Sequence, residues 1–234
     1  VAVIGMGLVG QIVCRILNAY GCDVIGYDVV DKTMPGTRLK AFINSGDDNA
    51  ADMTKALTRG RGVDKVIITA ATNSNAPMDL AAAIARDRGI ICMIGVTQMN
   101  IDRRPYYERE LSFRIARSYG AGRYDSTYEQ KGIDYPIGYV RFTEGRNIEE
   151  FVRLLAQGRI SLADIITHEI PFEKAAEAYE MITKNPNHER YIGVLLKYDE
   201  NDTKWQSRIE NPKAKRAASG EKIRLGLIGA GNFV

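Results

Sequence analysis

The sequence predicts an α/β fold in which a doubly wound parallel sheet is covered by helices on both faces. Short apolar runs alternate with stretches of helical period over the first half of the 234-residue chain. The runs are apolar at successive positions, which is typical of strands buried on both faces. A glycine-rich turn follows the first run, as in the Rossmann fold.

The elements of the first half follow in order. The apolar run at 1–4 stops at Gly5, and apolar residues then recur at helical spacing over 8–17, which predicts a strand, a turn and a helix. Similar runs predict four further strands, at 23–28, 41–44, 65–69 and 89–94. Two further helices are predicted at 50–58 and 77–85, the second opened by Pro77.

The pattern is weaker in the second half. We predict a sixth strand at 111–116 and a long loop at 119–145. Two helices at 148–155 and 172–182 then alternate with two strands at 165–170 and 191–196. The predicted organisation is a Rossmann domain over residues 1–118 and a helix and strand appendage over 119–198. A charged linker follows over 199–221, and residues 222–234 are the first strand and glycine turn of a truncated second Rossmann domain.

Composition excludes several classes of protein. With 45% hydrophobic and 26% charged residues, the chain has enough apolar material for a packed core. Of the net charge of +3, residues 213–224 contribute +4 and the remainder −1, so the basic character belongs to the linker and no nucleic-acid partner is expected. No apolar run reaches the about 18 residues of a membrane span, so no membrane partner is expected either.

Cysteine usage and the first residue add two expectations. The three cysteines, Cys14, Cys22 and Cys92, form no Cys-x-x-Cys pair, which favours reduced thiols, a cytoplasmic location and no metal cluster. The chain begins at Val1, inside a strand and without Met, which predicts that the natural N-terminus is absent.

Residues 5–10 form a Gly-x-Gly-x-x-Gly turn between a strand and a helix. Gly5 permits the tight turn, Gly7 lets a pyrophosphate approach the backbone, and Gly10 allows close helix packing. The helix N-terminus, at Leu8 and Val9, offers free N–H groups to the phosphates. The alternative is that these glycines serve tight packing alone.

An acid at the end of the second strand strengthens the dinucleotide interpretation. Asp28 lies 23 residues after Gly5, near the roughly 20-residue offset of a ribose-binding carboxylate. A carboxylate there accepts hydrogen bonds from ribose hydroxyls and repels a 2′-phosphate, so the sequence favours NAD over NADP. The alternative is a solvated strand end.

Two further strand ends are expected in the same crevice, because ligands bind outside the carboxyl ends of strands in such sheets. We expect the nicotinamide to lie among small residues there, namely Ala70, Ala71, Gly95, Val96 and Thr97. Ordinary strand-to-loop transitions are the alternative for each of them.

No catalytic or metal-binding residue is evident. His168 lies in an apolar strand and is interpreted as structural, His188 lies in a turn, and no residues have zinc-ligand spacing. Residues 106–110 are interpreted as polar surface, with a substrate cleft as the alternative.

Several blocks resemble medium-chain dehydrogenases of the zinc-type alcohol and threonine group, over about residues 1–197. The blocks are 5–10, Asp28, 61–67, 89–95, 155–160 and 166–179. The resemblance implies that the family's zinc-carrying catalytic domain is missing, that this fragment holds no zinc, and that residues from 119 onward pack imperfectly without it. It also implies a homodimer through an edge strand near Leu111 to Ala116, with an edge capped by residues 119–145 as the alternative.

The tail at 223–233 resembles the start of the glucose-fructose oxidoreductase and inositol dehydrogenase family, and 118–125 and 132–141 resemble bacterial bi-domain oxidoreductases. The resemblance implies an NAD-binding fragment, inactive alone, of an enzyme moving hydride between nicotinamide and an alcohol or sugar. The alternative is a non-catalytic NAD-sensing or scaffold module. Only 12 residues, 29–40, separate the second and third strands where the family has a helix, so that helix is reduced or residues are missing.

Overall fold

A computed structural model describes residues 1–199, and residues Val1–Lys197 form one compact unit. The predicted linker, apart from Asp199, and the predicted second-domain start at 222–234 lie outside the described residues. The strands are β1 Ala2–Ile4, β2 Ile25–Asp28, β3 Ala41–Asn44, β4 Val63–Ile68, β5 Ala85–Met93, β6 Ser112–Ile115, β7 Ile166–Pro171 and β8 Gly193–Lys197. The helices are α1 Leu8–Ala19, α2 Ala50–Leu57, α3 Ala76–Ile84, α4 Arg103–Glu108, α5 Ser126–Glu129, α6 Glu144–Ala156 and α7 Ala175–Thr183.

Six strands form one parallel sheet in the order β3-β2-β1-β4-β5-β6, which confirms the doubly wound α/β prediction. Val3 of β1 pairs with Gly26 on one side and with Ile67 on the other. Strands β2 and β3 therefore follow β1 toward one edge of the sheet, and β5 and β6 follow β4 toward the other edge. A crevice is expected where β1 and β4 end side by side, at the switch in strand order.

Alternate residues of β1 pack into cores on opposite faces of the sheet. Ala2 and Ile4 belong to the larger core, which includes Met78 and Ile84 of α3. Val3 belongs to the other core, where α1 contributes its buried Cys14. Both faces of the sheet are thus covered, which is why its strands carry successive apolar residues.

The 29–40 segment contains no helix and joins β2 to β3 as a loop. Leu39 packs into the α1-side core, and a Cβ added to Gly26 would lie 2.8 Å from the Leu39 Cδ1 atom. One leucine of the loop therefore covers sheet surface that a helix would otherwise cover. The structure shows no helix there, and whether the helix is reduced or residues are missing stays as the sequence left it.

Two predicted details differ from the structure. Helix α3 ends at Ile84, since Ala85 pairs with Val63 and begins β5. The short helix α4 was not predicted, because it has six residues and contains Pro105. Its Tyr106 packs half-buried against the larger core, so the prediction of polar surface at 106–110 is wrong for this residue.

The second half has a small core and many exposed apolar side chains. Helix α5 interrupts the predicted 119–145 loop, and β7 and β8 form a separate parallel pair. Within residues 119–199 the buried apolar residues are Leu154, Ile160, Ile165, Ala178 and Ile192. Large exposed side chains include Tyr124, Ile133, Ile137, Tyr139 and Ile148, in keeping with the expected imperfect packing. In residues 1–199 no helix is both long and apolar enough to cross a membrane.

Candidate functional site

The glycine turn lies at the switch between β1 and β4, where three backbones are in close contact. Gly5 has φ of 104°, and a Cβ on it would lie 2.6 Å from the amide nitrogen of Ala70. A Cβ on Gly10 would lie 1.8 Å from the carbonyl oxygen of Gly5, and one on Gly95 would lie 2.1 Å from that of Ala70. These three glycines are therefore required by the packing of α1, β4 and β5 around the turn.

Gly7 differs from the other glycines of the turn. A Cβ added there meets no atom of the described residues within 4 Å, and Gly7 itself is exposed with an extended backbone. It is the N-cap of α1, and no side chain in the described part of the chain caps this helix end. The first N–H groups of a helix lack intrahelical partners, so the space beside Gly7 faces hydrogen-bond donors and the positive end of the helix dipole.

Asp28, the last residue of β2, is held beside the same turn. Its Oδ2 atom accepts a hydrogen bond from the Met6 amide at 2.7 Å, and its Oδ1 atom accepts one from the Val29 amide at 2.8 Å. Each carboxylate oxygen keeps a further lone pair, because one oxygen can accept two hydrogen bonds. The structure thus brings the predicted ribose ligand and the predicted phosphate turn together.

The other predicted residues lie at the ends of β4 and β5. The Val96 amide donates to the Ala70 carbonyl at 3.0 Å, and an isolated bridge joins Ala71 to Val96. Val96 is exposed, whereas the Thr97 hydroxyl donates to the Gln98 carbonyl at 2.8 Å. Small side chains therefore lie at the ends of β4 and β5, where the crevice is expected.

Two buried polar residues of α1 were missed by sequence reasoning. The apolar period pointed to Leu8, Val9 and their helical neighbours, but Gln11 and Arg15 are among the most buried residues of the helix. The signal was their spacing, since polar residues at i and i+4 share one helix face. Leu8 and Val9 are instead exposed at the crevice.

Arg15 of α1 and Asp164 form a forked ion pair. The Arg15 Nη1 atom lies 2.6 Å from Asp164 Oδ1, and Nη2 lies 2.8 Å from Asp164 Oδ2. These hydrogen bonds lower the pKa of Asp164 from an ordinary 3.8 to about 2. The neighbouring Cys14 is a fully buried core residue, and this burial raises the pKa of its thiol to about 12.

His168 has local side-chain partners, and His188 lies in a turn. His168 Nδ1 lies 2.9 Å from the Thr167 hydroxyl, and its Nε2 lies 3.5 Å from Glu189 Oε2. His188 has φ of 53° in the turn that was predicted for it. Within residues 1–199 no three His, Cys, Asp or Glu side chains are grouped to hold a metal ion.

A family model described as zinc-binding dehydrogenase matches residues 9–134, which is more than half of the chain. The chain belongs to the zinc-binding dehydrogenase family. The resemblance to medium-chain dehydrogenases is thereby confirmed over residues 9–134. The resemblance of the tail to a second oxidoreductase family falls outside the described residues and stays a prediction.

Two curated relatives of this zinc-binding dehydrogenase chain are sorbitol dehydrogenases 1 and 2 of Saccharomyces cerevisiae. Each is 25% identical over 188 residues, which is 77% of this chain and 46% of the relative. The chain therefore spans about half the length of the curated relatives that it matches.

Solved structures of dehydrogenases share the fold. Alcohol dehydrogenase TADH from Thermus sp. ATN1 matches with a TM-score of 0.64 at 21% identity, over 85% of this chain and 50% of its own. Galactitol-1-phosphate dehydrogenase from Escherichia coli matches with a TM-score of 0.63 at 21% identity, over 83% of this chain and 52% of its own. A short chain alcohol dehydrogenase from E. coli CFT073, complexed with NADH, matches with a TM-score of 0.60 at 18% identity, over 83% of this chain and 51% of its own.

Proposed function

We propose that this chain is the NAD(H)-binding part of an oxidoreductase that transfers hydride between nicotinamide and an alcohol or sugar. One observation carries the proposal: the open space at Gly7, between an uncapped helix N-terminus and the Asp28 carboxylate bonded to the same turn. The NADH in a structural relative and the sorbitol and galactitol phosphate in relatives' names support the choice of cofactor and substrate class.

In this proposal each end of the crevice binds a different part of the cofactor. The N–H groups of Leu8 and Val9 donate to the pyrophosphate, which the missing side chain of Gly7 leaves room to approach. Asp28 accepts hydrogen bonds from the adenosine ribose hydroxyls and disfavours a 2′-phosphate, so NAD is preferred over NADP.

The nicotinamide end is formed by Ala70, Ala71, Gly95, Val96 and Thr97. The Val96 amide donates to the Ala70 carbonyl, the Ala70 amide donates to the Ile4 carbonyl, and the Val96 carbonyl accepts from the Thr72 amide. These main-chain groups are already paired, so we assign the carboxamide contacts to the main chain of Ala71 and Thr97. The exposed Val96 side chain excludes water from one face of the ring. A bound nicotinamide supplies the hydride donor or acceptor, and this chain's residues only bind and orient it.

We further propose that the catalytic groups and any zinc ligands belong to a part of the whole protein outside the described residues. The support is that the chain spans about half of its relatives and that no ligand group occurs in residues 1–199. The 234-residue chain alone is then expected to bind NADH, to lack dehydrogenase activity and to retain no stoichiometric zinc after chelation.

Calorimetric titration of the chain with NADH and NADPH tests the cofactor proposal, and elemental analysis tests the zinc proposal. NADH is expected to bind more tightly than NADPH. Absence of NADH binding would contradict the cofactor proposal, and one zinc per chain that survives chelation would contradict the zinc proposal. A full-length parent that binds NADH but oxidises no alcohol or sugar would support an NAD-sensing module in place of an enzyme.

A further inference from the structure

The 29–40 loop begins directly after Asp28 and borders the proposed cofactor site. Its first two side chains, Val29 and Val30, are 65% and 57% exposed although both are apolar. A loop without a helix has few main-chain hydrogen bonds of its own, so contacts with the remainder of the protein must hold it in place.

Gln11 connects this loop to the glycine turn from inside the protein. Its side chain is fully buried, and its amide nitrogen donates to the carbonyl oxygens of Met6 at 3.1 Å and of Lys32 at 3.0 Å. Its Oε1 atom accepts from the Met34 amide at 2.8 Å and from the Thr37 hydroxyl at 3.1 Å. One side chain therefore binds both the turn at Met6 and three residues of the loop.

Arg15 continues the same set of contacts one helical turn further on. Its side chain is only 3% exposed, and its Nε and Nη2 atoms donate to Thr37 Oγ1 at 3.1 and 3.0 Å. Asp164, which accepts both arms of the Arg15 fork, also accepts from the Gly36 amide at 2.7 Å. Arg15 donates to the Ser161 carbonyl as well, so the buried charge is well satisfied.

We infer that Gln11, Arg15, Thr37 and Asp164, here called the loop network, are positioning residues that set the affinity for the adenosine half of the cofactor. This inference rests on the proposed function. The loop network holds the 29–40 loop in one conformation beside Asp28, so the ligand does not have to order the loop when it binds. A loop that occupies the binding conformation for only part of the time weakens apparent affinity in proportion to that fraction.

Gly36→Ala perturbs the loop network without removing any of its side chains. A Cβ there would lie 2.9 Å from both carboxylate oxygens of Asp164 and 3.0 Å from Arg15 Nη1. These atoms are the ends of side chains, so the ion pair moves apart and the backbone keeps its path. Gly138→Ala is the matched control, because its Cβ would meet nothing within 4 Å. Thr37→Val, which removes only the bridging hydroxyl, is an independent second variant.

The experiment titrates the 234-residue chain and its variants with NADH and with ADP-ribose, and follows trypsin cleavage after Lys32 and Arg38. For Gly36→Ala we expect the Kd of both ligands to rise by about tenfold, which is 1.4 kcal/mol. Cleavage in the loop should become faster, and saturating NADH should slow it again. Thr37→Val should shift in the same direction, and Gly138→Ala should match the unmodified chain.

The outcomes separate this inference from the proposed function. If the unmodified chain binds neither NADH nor ADP-ribose, the proposed function fails. If it binds both, but Gly36→Ala and Thr37→Val bind them within about twofold of its Kd, the inference is overturned and the proposed function stands. A lowered thermal midpoint with unchanged Kd would assign the loop network to stability alone.

Discussion

Two glycines three residues apart in one turn are required for different reasons. The Cβ of a residue at position 10 would overlap the carbonyl oxygen of Gly5, whereas a Cβ at position 7 would extend into open space. Gly10 is therefore required by packing of the folded protein. Gly7 has no such requirement within the described residues, which supports its proposed role in letting a pyrophosphate approach the backbone.

We predict that Gly7→Ala weakens NADH binding but leaves the thermal midpoint almost unchanged, because the extended backbone at Gly7 suits alanine. Gly10→Ala, its matched comparison, should destabilise the fold by about 1–3 kcal/mol or more through overpacking. Thermal melts and calorimetry on both variants measure this difference. A Gly7→Ala protein with unchanged Kd for NADH would contradict the ligand role of this position.

Asp28→Ala should weaken NADH binding by about 1–3 kcal/mol, as expected for lost hydrogen bonds to a charged acceptor. NADPH binding should weaken less, since the carboxylate that repels its 2′-phosphate is also removed. Titration with both cofactors measures the difference, with Asp48→Ala as the control at an exposed acid outside the 29–40 loop. Equal losses for both cofactors would mean that Asp28 acts only by holding the Met6 amide.

Helix α1 shows why the sequence revealed only part of the site. The glycines around the start of α1, and Asp28 after it, could be located because a strand, a turn, a helix and an acid follow one another at short, regular offsets. The roles of Gln11 and Arg15 depend on partners in the 29–40 loop and at Asp164, which is 149 residues from Arg15. No local pattern indicates such a distant partner, so the helix face that carries them was not assigned.

The ion pair between α1 and Asp164 should make stability depend on acid pH. The pKa of Asp164 is lowered from 3.8 to about 2 in the folded chain, so its contribution to the free energy of unfolding is complete above about pH 4. It is lost as the pH falls from about 4 to about 2, because over that range the unfolded chain binds a proton at Asp164 and the folded chain does not.

Denaturant unfolding of the unmodified chain and of Asp164→Asn, measured at several pH values from neutral to acid, tests this dependence. The stability difference between the two proteins should shrink as the pH falls through the range where Asp164 titrates. Asp48→Asn, at an exposed acid, should keep the pH dependence of the unmodified chain. A constant difference between the unmodified chain and Asp164→Asn across the pH range would contradict the prediction.

For the whole molecule, the position of β6 raises the question of assembly. As predicted, β6 is an edge strand of the six-stranded sheet. Phe113 packs toward the core, but Ile115 at the end of the strand is 64% exposed. We propose that this edge pairs with its copy across a two-fold axis and makes the chain a homodimer.

Ile115→Lys should therefore produce a monomer, because a lysine on an edge strand disfavours pairing. Ile148→Lys is the matched control: Ile148 is 60% exposed and belongs to α6, which is not part of the sheet, so its variant should remain dimeric. Light scattering at high micromolar concentration measures both. An unmodified chain with a mass near 26.0 kDa would exclude the dimer, and a dimeric Ile115→Lys protein would place the interface elsewhere.

The sequence by itself determined the alternation of strands and helices, the parallel sheet, the glycine turn and the acid at the end of the second strand. These features depend on neighbours in the chain: apolar period, turn chemistry and a fixed offset. The tertiary structure alone decided that residues 29–40 form a loop, that Tyr106 packs into the core, and that Gln11 and Arg15 are buried. Their environment is built by segments far apart in sequence, and burial of a polar side chain is stable only where those segments supply its hydrogen bonds.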